Sequence, residues 1–224
     1  LEEQAKGPIV NPVEMGMENH DVVIENLKKI PGYVSAFKKA FPEGESMTIQ
    51  NLAKAIAAYE RTLITPNSAY DRFRAGDTKA MSAAAQRGMV LVKTIGCTSC
   101  HMGALFSGPA LPMGTGFYQK FPVHPDAKLE AMYGFSKDLG RFEVTKKGSD
   151  KNFWRVSSWR NVELTAPYFH NGSVATLDEA VGVMAKTQLN KTLRPEQVKD
   201  IVAFLKSLTG ERPKQSAPVL PPNS

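Results

Sequence analysis

Cys97-Thr98-Ser99-Cys100-His101 is the stretch on which the reading of this chain turns. Two thiols separated by two residues and followed at once by an imidazole form the attachment motif of a c-type haem. The thiols add to the porphyrin vinyl groups and the adjacent histidine ligates the iron. At the end of a helix, cysteines so spaced lie on one side and reach the two vinyls, while the next residue projects its ring onto the metal. The chain has no other cysteine, which excludes a disulfide framework and directs both thiols to one local site. Two rival readings exist. A thioredoxin-like redox pair needs a βαβ setting that this sequence does not offer, and a tetrahedral zinc site needs two more ligands from His20, His124 or His170.

The segments around the motif carry helical periodicity, and none shows the sustained alternation of a half-buried strand. The expected fold class is all-α. Residues 20–29 and 32–41 read as a helical pair broken at Pro31, whose fixed φ suits a helix start. Val22, Val23, Leu27, Tyr33, Phe37 and Phe41 supply its buried faces. Thr48 can cap a helix running to residue 62, with Leu52, Ile56, Tyr59 and Leu63 on one stripe. Residues 77–94 read as a helix leading directly into Gly96 and Cys97, with Gly88 inside it at a cost of about 1 kcal/mol against Ala; a close helix crossing explains such a residue. Residues 101–151, rich in Gly and Pro, read as a long wrapping loop. The last strong helix spans 195–208, with Val198, Ile201, Val202, Leu205 and Leu208 on one face, and Gly210 just past its end. Beyond it the chain becomes Pro-rich and extended.

The chain has 224 residues, of which 42% are hydrophobic, enough for a real core and against global disorder. Its longest apolar runs, such as Ile201 to Leu205, fall far short of the roughly 20 residues that cross a bilayer. The 28 Lys and Arg against 22 Asp and Glu give a net charge of +6 without a long basic run, so nucleic acid is not the expected partner. The sequence opens on Leu1 and charged residues, as expected of a chain processed or cut from something longer.

A histidine-bound haem iron has a second axial position, and methionine there favours electron transfer at raised potential. Of the nine methionines, Met102 is too close to His101 to reach across the ring, and Met89 belongs to the apolar face of the preceding helix. Met113, Met132 and Met184 remain. Met184, just ahead of the terminal helix, is the preferred ligand and Met113 the runner-up; the bland alternative is that Met184 fills the core.

Further blocks support a family assignment. Glu3-Gln4-Ala5-Lys6-Gly7-Pro8, Asn11-Pro12-Val13-Glu14-Met15, the haem motif, Gly140-Arg141-Phe142 and Asn161-Val162-Glu163-Leu164-Thr165-Ala166-Pro167-Tyr168-Phe169-His170 occur in that order. Together they resemble the bacterial di-haem cytochrome c peroxidases over nearly the whole chain. The resemblance implies two cytochrome c-like domains that reduce hydrogen peroxide to water with electrons from a small cytochrome c or a cupredoxin. It assigns residues 66–211 to the C-terminal, high-potential haem domain, residues 1–65 to a remnant of the N-terminal peroxidatic domain with its mobile active-site loop, and 212–224 to a Pro-rich tail. The N-terminal haem motif is absent from this chain, and a second haem is expected in the full protein.

The same resemblance makes Gln4 the amide that hydrogen-bonds in the peroxide pocket and Glu14 the carboxyl that moves a proton during O–O cleavage. It makes the backbone carbonyls of Thr165 and Pro167 ligands of a calcium ion, with an asparagine of the N-terminal domain. His170 is expected as a haem-propionate or structural partner, not a metal ligand. A periplasmic location and a homodimer are also implied. The competing reading is a monohaem electron carrier without peroxidase activity. A third, a related di-haem oxidase acting on a protein or quinol, is disfavoured by Met184.

Overall fold

The computed structural model describes residues 1–112 and 114–222, and separates them into two compact units: Leu1–Ile64 with the segment from Arg212 onward, and Thr65–Glu211. Met113 lies outside the described residues.

The first unit holds α1 (Glu2–Val10), α2 (His20–Lys28), α3 (Pro31–Ala40) and α4 (Ile49–Glu60). Asn19 and Thr48 cap α2 and α4 by accepting the backbone N–H of Val22 and Asn51, and Pro31 opens α3. Ile24, Phe37 and Met47 form a small core with Leu27, Tyr33, Phe41, Ile49 and Leu52 around it. The Gly and Pro content of the opening residues predicts a loop, yet α1 is a helix with Pro8 inside it. Pro8 offers no N–H to the Gln4 carbonyl one turn back. Burial offsets that loss: α1 packs on α4, with Ala5 and Ile9 buried on the one and Ala53 and Ala57 on the other. The tail returns to this unit, where Gln215 donates to Thr62 Oγ1 at 2.6 Å.

The second unit is built on α6 (Ala83–Ile95) and α10 (Pro195–Lys206), joined by α5 (Ala69–Arg74), α7 (Ala127–Tyr133), α8 (Phe142–Thr145) and α9 (Leu177–Leu189). Gly88 is where α6 meets α10: a Cβ there would lie 1.9 Å from the Asp200 carbonyl oxygen. Arg87 pairs with the Asp200 carboxylate beside that contact, through bonds of 2.8 and 2.7 Å. Helix α6 begins six residues later than its periodicity predicts, because Ser82 accepts the Ala85 N–H and so fixes the start, while Asp77 to Ala80 closes a turn. The 101–151 stretch also holds more order than a loop. Besides α7 and α8 it contributes β1 (Tyr118–Lys120), which pairs antiparallel with β2 (Phe153–Arg155) in the register Tyr118↔Arg155. Strands of three residues are too short to show an alternation. The core gathers Val92, Phe121, Phe135, Val174, Val183, Phe204 and Leu208, among others. No helix is long and apolar enough to cross a membrane among the described residues.

Candidate haem-attachment site

Gly96 ends α6 in the left-handed region, φ 110°, turning the chain so that Cys97–Ser99 forms a separate helical turn instead of prolonging the helix. The His101 N–H closes this turn on the Cys97 carbonyl at 3.1 Å. Cys97 and Cys100 are unbridged and partly buried. Burial pushes the Cys97 thiol up, outweighing the Lys191 charge that pulls it down, so it stays protonated. An S–H is the form that adds across a vinyl C=C, sulfur to one carbon and hydrogen to the other.

The His101 imidazole is fixed from two sides. Its Nδ1 lies 3.0 Å from the Phe106 carbonyl, an acceptor only, so Nδ1 carries the proton and the Nε2 lone pair is left for a metal. Its face stacks on Trp159 with ring centroids 4.4 Å apart and planes 20° from parallel. Burial lowers the imidazole's affinity for a second proton, against the opposing pull of the Phe106 and Ser157 backbone. The ring is therefore neutral at physiological pH, the state in which it ligates.

Met184 sits within α9, partly buried against the core cluster that Cys97 also borders. The C-terminal end of α9 is tied down next to it. The Thr187 carbonyl accepts the N–H groups of Val123 and His124 at 3.1 and 2.7 Å. The Gln188 amide bridges the Val123 N–H and the Lys120 carbonyl, both at 2.9 Å. Met132 and Met102 are exposed. A neutral imidazole, a thioether and two unbridged thiols match the donor set of a c-type haem with His and Met ligands. Trp154 Nε1 is buried without a partner among the described residues, a donor open to an acceptor on a bound group.

The zinc alternative finds no support. His170 Nε2 donates to the Phe135 carbonyl at 3.1 Å and its ring stacks on Trp154 at 3.8 Å. No group of three or more His, Cys, Asp or Glu gathers as a metal cluster among the described residues. Thr165 and Pro167 are exposed, at the turn after Val162–Leu164. Neither carbonyl accepts a hydrogen bond among the described residues. In the first unit, Gln4 is exposed on α1, and Glu14 is exposed in a turn that Glu14 and Gly16 close on the Asn11 carbonyl, at 3.0 and 2.9 Å.

The chain is 45% identical to the cytochrome c551 peroxidase of Pseudomonas aeruginosa over 99% of its own length and 61% of that relative's. It is 40% identical to the cytochrome c551 peroxidase of Nitrosomonas europaea over 100% of the chain and 63% of the relative.

The chain is similar to the di-haem cytochrome c peroxidases along nearly its whole length.

The family's own model, "Di-haem cytochrome c peroxidase", matches residues 1–79. Among solved structures, a MauG-like protein associated with microbial copper homeostasis superposes with a TM-score of 0.75 at 27% identity, covering 94% of this chain and 69% of that one. The chain thus spans less than two thirds of the length of the two curated relatives.

Sequence reasoning missed the groups that orient His101, the Trp159 ring and the Phe106 carbonyl, and the Gln188 amide that ties down the end of α9. A backbone carbonyl has no sequence signal, and Trp159, far from Cys97 in sequence, carries no pattern that links it to the motif.

Proposed function

We propose that the protein carrying this chain is a cytochrome c peroxidase, and that this chain bears its electron-transfer haem on Cys97, Cys100 and His101, with Met184 as the second axial ligand. The observation that carries the reading is the His101 imidazole, neutral, with Nδ1 engaged by Phe106 and Nε2 left for a metal, next to the free thiol of Cys100 and four residues from that of Cys97. The identity to two cytochrome c551 peroxidases supplies the reaction. Hydrogen peroxide takes two electrons and two protons, its O–O bond breaks, and two waters leave. Haem c bound at Cys97, Cys100 and His101 would supply a one-electron couple between a small cytochrome c or cupredoxin donor and the peroxide site.

The polypeptide's part is to hold and to orient. Cys97 and Cys100 anchor the group covalently, His101 supplies Nε2, and Met184 supplies a thioether from a helix end fixed by Thr187 and Gln188. Residues 1–65 belong to the peroxidatic domain, a reading supported by the family match over residues 1–79. Gln4 donates a hydrogen bond to peroxide there, and Glu14 takes the proton of the inner peroxide oxygen and delivers it to the outer one, which leaves as water. The exposed carbonyls of Thr165 and Pro167 offer hard oxygen ligands of the kind calcium takes. The protein works in the periplasm, since haem c is attached outside the bacterial cytoplasm, and the family resemblance implies a homodimer.

The test is peroxide-dependent oxidation of a reduced small cytochrome c by the haem-loaded protein. Glu14→Gln is expected to lower kcat by about 10²- to 10⁴-fold, the usual contribution of a general acid–base group, with haem content unchanged. Wild-type turnover in Glu14→Gln would remove Glu14 from the mechanism. A haem-loaded protein that accepts electrons but leaves peroxide intact would make the chain a monohaem carrier instead.

A further inference from the structure

Residues 158–160 form a clamp over the loop that follows the haem motif. Ser158 Oγ donates to the Leu105 carbonyl at 2.7 Å and the Trp159 N–H to the same oxygen at 3.3 Å. Arg160 Nε donates to the Ala104 carbonyl at 3.1 Å. The clamp is itself anchored. The Arg160 guanidinium bonds Asp71 Oδ1 at 2.8 Å and the buried Ser68 Oγ at 3.2 Å, and Ser68 and Asp71 form the capping box that starts α5. A continuous set of bonds therefore runs from α5 through residues 158–160 to the loop carrying Phe106, whose carbonyl holds His101 Nδ1.

That hydrogen bond fixes where Nδ1 points but leaves the imidazole free to rotate about the Nδ1–H···O axis. A second constraint is needed to fix the plane of the ring, and Trp159 is the group in place to give it. Its ring lies against the His101 face on one side. It is backed by Phe106, with centroids 5.5 Å apart and planes at 19°, and by the edge of Phe204 at 6.3 Å. An aromatic pair adds roughly 0.5–1.5 kcal/mol beyond the area it buries, enough to select one ring rotamer. A tryptophan that merely filled the core would need no parallel alignment with an imidazole.

We propose that Trp159 is a positioning residue for the haem ligand: its indole, held by the Ser158–Arg160 clamp, sets the plane of the His101 ring and shields it from water. The inference rests on the reading that Cys97, Cys100 and His101 carry haem. Ring plane determines how the imidazole π system meets the iron orbitals, and water near the ligand stabilises the oxidised, more positive state. Trp159→Leu removes both effects, so the potential of the haem on Cys97 and Cys100 should fall and the g-values of its low-spin ferric state should shift. Trp159→Phe keeps a stacking face and should restore most of both.

The experiment uses the haem-loaded protein, with haem content, redox titration and ferric electron paramagnetic resonance measured on wild type, Trp159→Leu, Trp159→Phe and Ser158→Ala. A lowered potential and shifted g-values in Trp159→Leu, recovered in Trp159→Phe, support the proposal. Full haem content with wild-type potential and g-values in Trp159→Leu overturns it. If Trp159→Leu does not accumulate, Ser158→Ala decides: a shift of the same sign supports the clamp, and wild-type values overturn it. Wild-type protein without covalent haem overturns the underlying reading, a result distinct from any of these.

Discussion

At the scale of single residues, His170 and His101 occupy opposite kinds of site although both are histidines in apolar surroundings. His101 keeps Nε2 open, whereas His170 spends Nε2 on the Phe135 carbonyl and stacks on Trp154, with the Phe121 ring edge-on to it. Burial lowers the His170 pKa from its ordinary 6.5, against the pull of Phe135, Asp138 and Glu130. A base depressed in this way binds fewer protons folded than unfolded. Its contribution to stability is therefore whole above about 6.5 and is lost as pH falls through that unfolded value toward the folded one. Denaturant unfolding between about pH 5 and pH 8 should show stability rising with pH over this window, with a shallower slope in His170→Gln. An unchanged slope in that variant would show that His170 does not titrate with folding. The haem motif itself was legible because its chemistry depends on local spacing. The stack that orients His101 was not, because it joins residues from distant parts of the chain.

Helices with strong periodicity and side-chain caps were legible as elements: Thr48 caps α4, Pro31 opens α3, and the apolar stripe of α10 runs as expected. Elements that depend on tertiary contact were not. Helix α1 contains Gly7 and Pro8 and exists because Ala5 and Ile9 find a buried face, and β1 and β2 are too short to carry a pattern. Gly88 was readable in kind, since an interior glycine implies a close approach, and the approach is to Asp200 of α10. Gly88→Ala places a methyl against backbone that cannot rotate away, so α6 and α10 must separate. The expected loss is about 1–3 kcal/mol, the usual cost of overpacking, read from the midpoint of denaturant unfolding. A midpoint within error of wild type would show that the crossing has slack. Because α6 leads into Gly96 and Cys97, the same variant should also lower the yield of haem-loaded protein.

At the scale of the whole chain, two compact units carry two kinds of information. The second holds Cys97, Cys100, His101 and Met184, with Cys97 and Met184 bordering one core, and its reading follows from side chains, bond directions and protonation. The first presents Gln4 and Glu14 on exposed positions, and their roles follow from family resemblance and not from local geometry. That difference explains how far the sequence reached: an attachment motif is written in five consecutive residues, while Gln4 and Glu14 carry no such local pattern. Everything proposed here depends on haem being bonded to Cys97 and Cys100. Trypsin cuts after Lys93 and Lys120, releasing the peptide that contains both thiols and His101. The mass of that peptide from protein made in a bacterium that attaches c-type haem is the most direct measurement. The account predicts a peptide heavier by one haem and resistant to thiol alkylation; a peptide at its bare mass with two alkylatable thiols would contradict it.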